Sequence, residues 1–303
     1  MNSDFQILHK SVLANELIEI LNISVGETIL DGTINGGGQA EQICKLIGKK
    51  GTLIGIDLDK KALKKSEERL KKFSSKKYLV HDNFRNIEEI LNNLNIEKVD
   101  KMYFDLGLST DQLEGSERGF SFRREEPLLM TFDENLEDEN LTAKDIINTW
   151  EEERIADVIF AYGEESMARR IARAIVKERE KEPIKTTSKL ADIVEKAVPK
   201  NKKRSGLHPA RKTFQALRIA VNDELESLKD ALRAMENRLS PGGIIALISF
   251  HGLEDKIVKN FFKDWQNEGL GKILTKKPIS PSNKEIEGNP RASSAKLRAF
   301  RKY

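Results

Sequence analysis

Residues 28–38 read "TILDGTINGGG". A short apolar run, Thr28 to Leu30, gives way to Asp31, then to three consecutive glycines, and then to the helix-like "QAEQICKLI". Glycines cost backbone entropy and supply no packing. Either the turn is unusually tight or something approaches its backbone closely. The same strand-turn-helix unit then repeats. "TLIGID" leads to "KKALKKSEERLKKF", "YLVHDNF" leads to "RNIEEILNNLN", and "VDKMYFDLG" closes the series. Four strand-like runs with three amphipathic helices between them predict a parallel, doubly wound α/β sheet. Upstream, Val12, Leu13, Leu17, Ile20 and Leu21 recur at helical spacing and predict an opening helix.

After Gly107 the rhythm breaks. A loop rich in glycine, arginine and acids runs to about Asn140, and three helical patterns follow with no strand between them. A basic loop, "PKNKKRSGLHPARK", ends this stretch. One long helix is then predicted through Leu217, Val221, Leu225, Leu228, Leu232, Met235 and Leu239, stopped by the breaker "SPGG". The strand "IIALISF" and the helix "LEDKIVKNFFKDW" resume the α/β pattern. The reading is a split sheet domain, residues 1–112 and 214–303, with an inserted helical domain at 113–213.

Bulk composition narrows the function classes. The 303 residues hold 52 Lys and Arg against 49 Asp and Glu, so global charge does not favour nucleic acid, and only local clusters can. A single cysteine excludes an internal disulfide and fits a reducing, cytoplasmic home. No apolar run approaches the roughly 20 residues of a membrane span, and the first ten residues lack a signal-peptide plan. One cysteine and four scattered histidines give no zinc pattern, so no metal is expected.

In a doubly wound sheet, ligands sit beyond the carboxyl ends of the strands. The glycine loop matches neither the dinucleotide nor the Walker pattern. It suits an adenosine ligand without pyrophosphate, such as S-adenosylmethionine. Asp57 ends the second strand, where an acid can accept hydrogen bonds from ribose hydroxyls; Asp59 is the better candidate to cap the next helix. Asp82 or Phe84, after the third strand, stands where an adenine would be flanked, although Phe84 reads equally as core. Asp105 ends the fourth strand, where a group acting on substrate belongs. Gln112 follows seven residues on, and His251 follows the fifth strand. Cys44 shares an apolar helix face with Ala40, Ile43 and Ile47, so no thiol is available for covalent catalysis.

Two stretches carry nucleic-acid chemistry. "SERGFSFRR" interleaves Arg118, Arg123 and Arg124 with Phe120 and Phe122, the residue types that hold phosphates and stack on unpaired bases. The alternative is a loop pinned by two buried phenylalanines. The basic loop adds Lys202, Lys203, Arg204 and Arg211. Arg169, Arg173 and Lys177 form a helical stripe that reads first as a solvated face.

"DGTINGGG", "YFDLGLS", "ERGFSF", "RRIARAIV", "FQALRIAVNDELE", "ISFHGLED" and "NPRASSAKLR", in this order, resemble the RsmH (MraW) family of bacterial small-subunit ribosomal RNA methyltransferases. The resemblance runs from about His9 to Arg298. It implies a Rossmann-like, class I S-adenosylmethionine-dependent sheet with a helical substrate-recognition insertion. It also implies N4-methylation of a cytidine in the decoding region of 16S rRNA. Carried over by position, the family's cofactor contacts fall on Gly37, Gly38, Gln39, Asp57, Phe84, Asp105 and Gln112. The chain departs from the family pattern at Asn35 and Gln39 (usually Arg and His), at Leu129 and Thr131 (usually an acid and Arg), and at Arg211. Asp105 is the expected acceptor for the target amine, with His251 as its helper. Two rivals stand beside this reading: a small-molecule methyltransferase, and a non-catalytic RNA-binding or ribosome-assembly protein on the same fold.

Overall fold

A computed structural model describes residues 11–108, 112–113, 115–133, 140–199 and 207–303. The chain divides into two compact units, residues 1–107 with 225–303, and residues 108–224.

The first unit is built on a seven-stranded sheet in the order β3-β2-β1-β4-β5-β7-β6. β1 (Thr28–Asp31), β2 (Thr52–Asp57), β3 (Lys76–His81), β4 (Val99–Asp105) and β5 (Leu239–Ser249) pair in parallel. β7 (Lys296–Lys302) pairs antiparallel with both β5 and β6 (Gly271–Ile273). This is the doubly wound α/β sheet the alternation predicts, extended at one end by an antiparallel pair. β1, β2 and β4 are nearly continuous apolar runs because helices cover both faces of the sheet. On one face α1 (Ala14–Leu21), α2 (Gly38–Ile47) and α3 (Lys60–Leu70) contribute Leu17, Ile43 and Leu63 to a buried core. On the other, α4 (Ile87–Asn93), a helix at Glu224–Arg238 and a helix at Gly252–Asn267 contribute Ile90, Leu232 and Phe262.

The second unit is helical: α5 (Ala143–Thr149), α6 (Glu152–Gly163), α7 (Ala168–Arg179), α8 (Thr187–Ala197) and α9 (Arg211–Asn222). Leu128, Ile146, Ile155, Ile171, Leu190 and Phe214 lie at its centre. Thr142 caps α5 in a reciprocal capping box with Asp145, and Thr186 caps α8.

Four details depart from the sequence reading. The single long helix from Leu217 to Leu239 is two helices. Asp223 takes a left-handed φ of 48°, ending α9 before α10 (Glu224–Arg238) begins, and Arg218 forks onto Glu224 at 2.7 and 2.8 Å just beyond the break. The unit boundary therefore falls at 224/225 rather than 214, because Phe214 and Leu217 pack into the helical core. "SPGG" does not precede β5 but lies inside it. Leu239 pairs with Val99 and Ile244 with Lys101, so the intervening residues bulge out, with Gly242 at φ 76°. The antiparallel β6–β7 pair has almost no strand signal in the sequence. β6 is three residues long, and β7 carries four cations among its seven residues.

Candidate active site

The strand order reverses at β1. Its successor in sequence, β2, lies on one side, and β4 lies on the other. The crevice beyond the carboxyl ends of β1 and β4 is where this topology places a ligand. Asp31, Asp57 and Asp105 are the last residues of β1, β2 and β4.

The loop after β1 is held by its own backbone. Gly32 N–H donates to the Tyr103 carbonyl at 3.0 Å, and Ile34 N–H to the Ile56 carbonyl at 3.0 Å. A side chain at Gly32 would sit 1.9 Å from the Phe104 ring, so only glycine fits there. Gly37 adopts φ 73°, and a Cβ on it would meet Ser66 of α3 at 3.1 Å. Ser66 Oγ also donates to the Asn35 carbonyl at 2.6 Å. The glycines thus serve a tight left-handed turn pressed against α3.

Three carboxylates face this loop. Asp57 Oδ2 accepts the Asn35 N–H at 2.7 Å and Oδ1 the Asp59 N–H at 2.9 Å. Burial is the main cause that raises its pKa to about 6. Asp105 is 6% exposed. Its backbone N–H donates to Thr33 Oγ1 at 2.7 Å, and the Gln39 amide donates to Oδ2 at 3.5 Å. Burial raises its pKa to about 7; hydrogen bonds from Gly107 and Gln39 oppose the rise, and the nearby Glu254 charge adds to it. Asp31, 1% exposed, accepts from the Tyr103 hydroxyl and, at 3.1 Å, from the Thr33 N–H. Burial pushes it up to about 8. Among the described residues, no lysine or arginine lies within 4 Å of these three carboxylates.

The structure brings together Gly37, Gly38, Gln39, Asp57, Phe84 and Asp105 along the carboxyl edge of the sheet unit. Phe84 is half-buried and stands edge-on to Phe104, with centroids 5.4 Å apart. Asp59 caps α3 through Lys61 and Ala62, as expected. Cys44 is buried on the core face of α2, and burial raises its thiol pKa. Gln112 belongs to the helical unit.

His251 has a structural role beside the expected one. It is the N-cap of α11 (Gly252–Asn267): its Nδ1 accepts the Glu254 N–H at 3.4 Å, and its Nε2 stands 3.1 Å from Glu254 Oε1. Glu254 Oε2 in turn accepts the Phe250 and His251 N–H groups. His251 thus caps a helix start through Nδ1, while its Nε2 is buried with no hydrogen-bond partner among the described residues.

In the helical unit, two expected RNA contacts are inside. Arg118 is 6% exposed, donates to the Phe132 carbonyl at 2.5 Å, and lies over the Phe120 ring. Phe120 is 7% exposed and stacks on Phe132 at 5.7 Å. The loop is pinned by its own residues. Phe122 is half-buried and stacks on His208 at 4.6 Å. Arg123 and Arg211 are exposed. Thr131 is buried and Leu129 half-buried, so these departures from the family pattern lie in packed backbone. Lys202, Lys203 and Arg204 lie outside the described residues. No described helix is long and apolar enough to cross a membrane.

Sequence reasoning missed Asp31, Thr33, Tyr103 and Glu254. Asp31 stood in the quoted loop, and its position at a strand's carboxyl end was the available signal. Thr33, Tyr103 and Glu254 act only through three-dimensional contacts.

A crevice with three desolvated carboxylates and no matching cation fits a ligand that brings positive charge. S-adenosylmethionine carries a sulfonium and an ammonium, and its ribose diol suits Asp57. The model of the MraW methylase family matches residues 6–303. A "Ribosomal RNA small subunit methyltransferase H" of Halothermothrix orenii is 46% identical over 96% of this chain and 97% of its own. One from Brevibacillus brevis is 42% identical over 97% and 98%. A solved rRNA methylase of Streptococcus thermophilus aligns over 97% of each chain at 11% identity, with a TM-score of 0.44. The chain belongs to the MraW methylase family and is an S-adenosylmethionine-dependent methyltransferase.

Proposed function

We propose that this member of the MraW methylase family methylates N4 of a cytidine in the decoding region of 16S rRNA, in the cytoplasm. The observation that carries the reading is the buried, cation-free Asp105 at the switch point of the sheet. Relatives named as small-subunit rRNA methyltransferases match over nearly their full length and supply the substrate class.

The bound cofactor supplies an electrophilic methyl group on a sulfonium. Asp57 accepts the ribose hydroxyls, Phe84 offers a ring face or edge to the adenine, and the backbone at Gly37 and Gly38 borders the methionine portion. Gln39 reaches Asp105 and fixes the orientation of its carboxylate. The family resemblance adds Gln112.

The exocyclic amine of cytosine is a weak nucleophile because its lone pair is delocalised into the ring. Asp105 accepts a hydrogen bond from that amine, which holds the nitrogen in line and favours the positive charge that builds on it. As the nitrogen–carbon bond forms and the methyl–sulfur bond breaks, releasing S-adenosylhomocysteine, the amine would give up a proton, and Asp105, with a pKa near 7, is matched to receive it. No thiol is needed, in keeping with the buried Cys44. The target base must leave its stack to be reached. Arg123, Arg211 and Phe122 hold the RNA on the helical unit, together with Lys202, Lys203 and Arg204.

The test is transfer of labelled methyl groups from S-adenosylmethionine to 30S subunits that lack methylation in the decoding region, followed by mapping of the modified nucleoside. Label at one N4-methylcytidine is the expected result. Label on another atom, or none while S-adenosylhomocysteine still binds, overturns the reading.

A further inference from the structure

Positive charge is concentrated outside the helical unit as well. Residues 60–77 carry nine lysines and arginines against two glutamates, seven net positive charges, while the whole chain carries only +3. The rest of the chain is therefore negative. The stretch comprises α3, its carboxyl end and the start of β3, all in the sheet unit.

Folding does not account for all of these lysines. The first turn of α3 holds Lys60 and Lys61 and no acid, at the end of a helix where the macrodipole disfavours cations. Lys60 with Lys64, and Lys61 with Lys65, are like-charged pairs four residues apart, which destabilise a helix. Some cations nearby do have structural work. Lys72 pairs with Glu41 at 2.7 Å, and Lys77 donates to the Phe73 and Ser75 carbonyls. Lys60, Lys64 and Lys71 do not. They are exposed, they fall within about 40° of one another around the helix at 100° per residue, and no carboxylate among the described residues lies within 4 Å of them. From Lys60 to Lys71 the stripe spans about 16 Å.

Its place is next to the site. α3 begins three residues after Asp57. Its Ser66 hydroxyl holds the Asn35 carbonyl of the glycine loop, and Lys65 Cδ lies 3.4 Å from where a Cβ on Gly36 would be. None of the exposed large apolar side chains belongs to α3, so the face lacks the apolar half of a membrane-binding surface. What remains is a row of hydrated point charges, suited to phosphates without reading sequence.

We infer that the lysine face of α3, with Lys60, Lys64 and Lys71 at its centre, docks the sugar-phosphate backbone of the RNA on the sheet unit, separately from the helical unit's arginines. The inference rests on the rRNA reading above and adds a second anchor to it.

The experiment compares wild type with Lys60→Gln/Lys64→Gln/Lys71→Gln and with a charge-matched control, Lys259→Gln/Lys263→Gln/Lys272→Gln, at exposed positions of α11 and β6. Affinity for unmethylated 30S subunits is measured from 50 to 200 mM salt, with kcat and S-adenosylhomocysteine affinity as checks on folding. Removing three phosphate contacts should flatten the slope of log affinity against log salt by about two to three and weaken binding about tenfold or more at the lowest salt. The control should keep the wild-type slope, and kcat and S-adenosylhomocysteine affinity should hold in both variants. A wild-type slope in the α3 variant, or an equal loss in the control, overturns the inference and leaves the rRNA reading standing. If wild type itself neither binds nor methylates 30S subunits, the rRNA reading fails and the inference falls with it.

Discussion

Residues 31–39 and residues 117–124 look equally chemical on paper. One stretch is dense in glycine and follows a strand; the other is dense in arginine and phenylalanine. In the first, backbone contacts and glycine shapes do the structural work, and the carboxylates of Asp31, Asp57 and Asp105 border the crevice with no cation beside them. In the second, the side chains do the structural work. The guanidinium of Arg118 is committed to the Phe132 carbonyl and the Phe120 ring, and Phe120 to Phe132. A reactive residue type at the carboxyl edge of a parallel sheet is placed by topology. The same type in a long loop is placed by packing, which residue identity does not reveal.

That contrast can be broken in several places. The largest effect belongs to Asp105→Asn. Single-turnover methyl transfer should fall about 10²–10⁴-fold, the range of a lost acid-base group, while S-adenosylhomocysteine affinity stays within a few-fold. A loss under tenfold would remove Asp105 from the chemistry. Phe120→Ala should act through folding alone. Urea unfolding should show about 3 kcal/mol or more lost from the helical unit, and RNA affinity per folded molecule should not change. A full-length, stable variant with weakened RNA binding would return Phe120 to the interface.

Next in size is the pH dependence of stability. Asp31, Asp57 and Asp105 all have folded pKa values above their ordinary ones, so the ligand-free protein binds more protons than the unfolded chain. Their contribution is full below about pH 4 and is lost as pH rises to about 8. Asp31→Asn, which mimics the protonated acid, should flatten that decline by an amount on the order of 2 kcal/mol; thermal melts from pH 5 to 9 read it. The smallest effect belongs to the exposed arginines. Arg123→Ala and Arg211→Ala should each raise the KM for 30S subunits about two- to fivefold with kcat unchanged. Arg118→Ala should lower stability instead.

Much of this was legible in the sequence. Strict strand-helix alternation gave β1 to β4 and the insertion after them, and Asp57, Asp105 and the glycine loop followed from the rule that ligands sit at strand ends. The cap at Asp59 and the core face of Cys44 came from helical spacing. What stayed hidden depends on contacts distant in sequence. Asp223 breaks a continuous apolar stripe by adopting a left-handed φ, which the stripe itself cannot signal. β7 hides its apolar residues among cations, one of which, Arg298, is buried on Asp255 at 2.6 Å. The helix cap that His251 Nδ1 makes with the Glu254 N–H could not be read from its place at a strand end.

The most direct measurement is kcat/KM for methyl transfer from pH 5 to 8, in wild type and in Asp105→Asn. The wild type should lose activity on the acid side, about tenfold per pH unit below a midpoint near 7, as the Asp105 carboxylate takes up a proton and can no longer accept from the amine. The variant should be slow and flat over the same range. A flat wild-type profile, or the same acid limb in the variant, would contradict the assignment of the chemistry to Asp105.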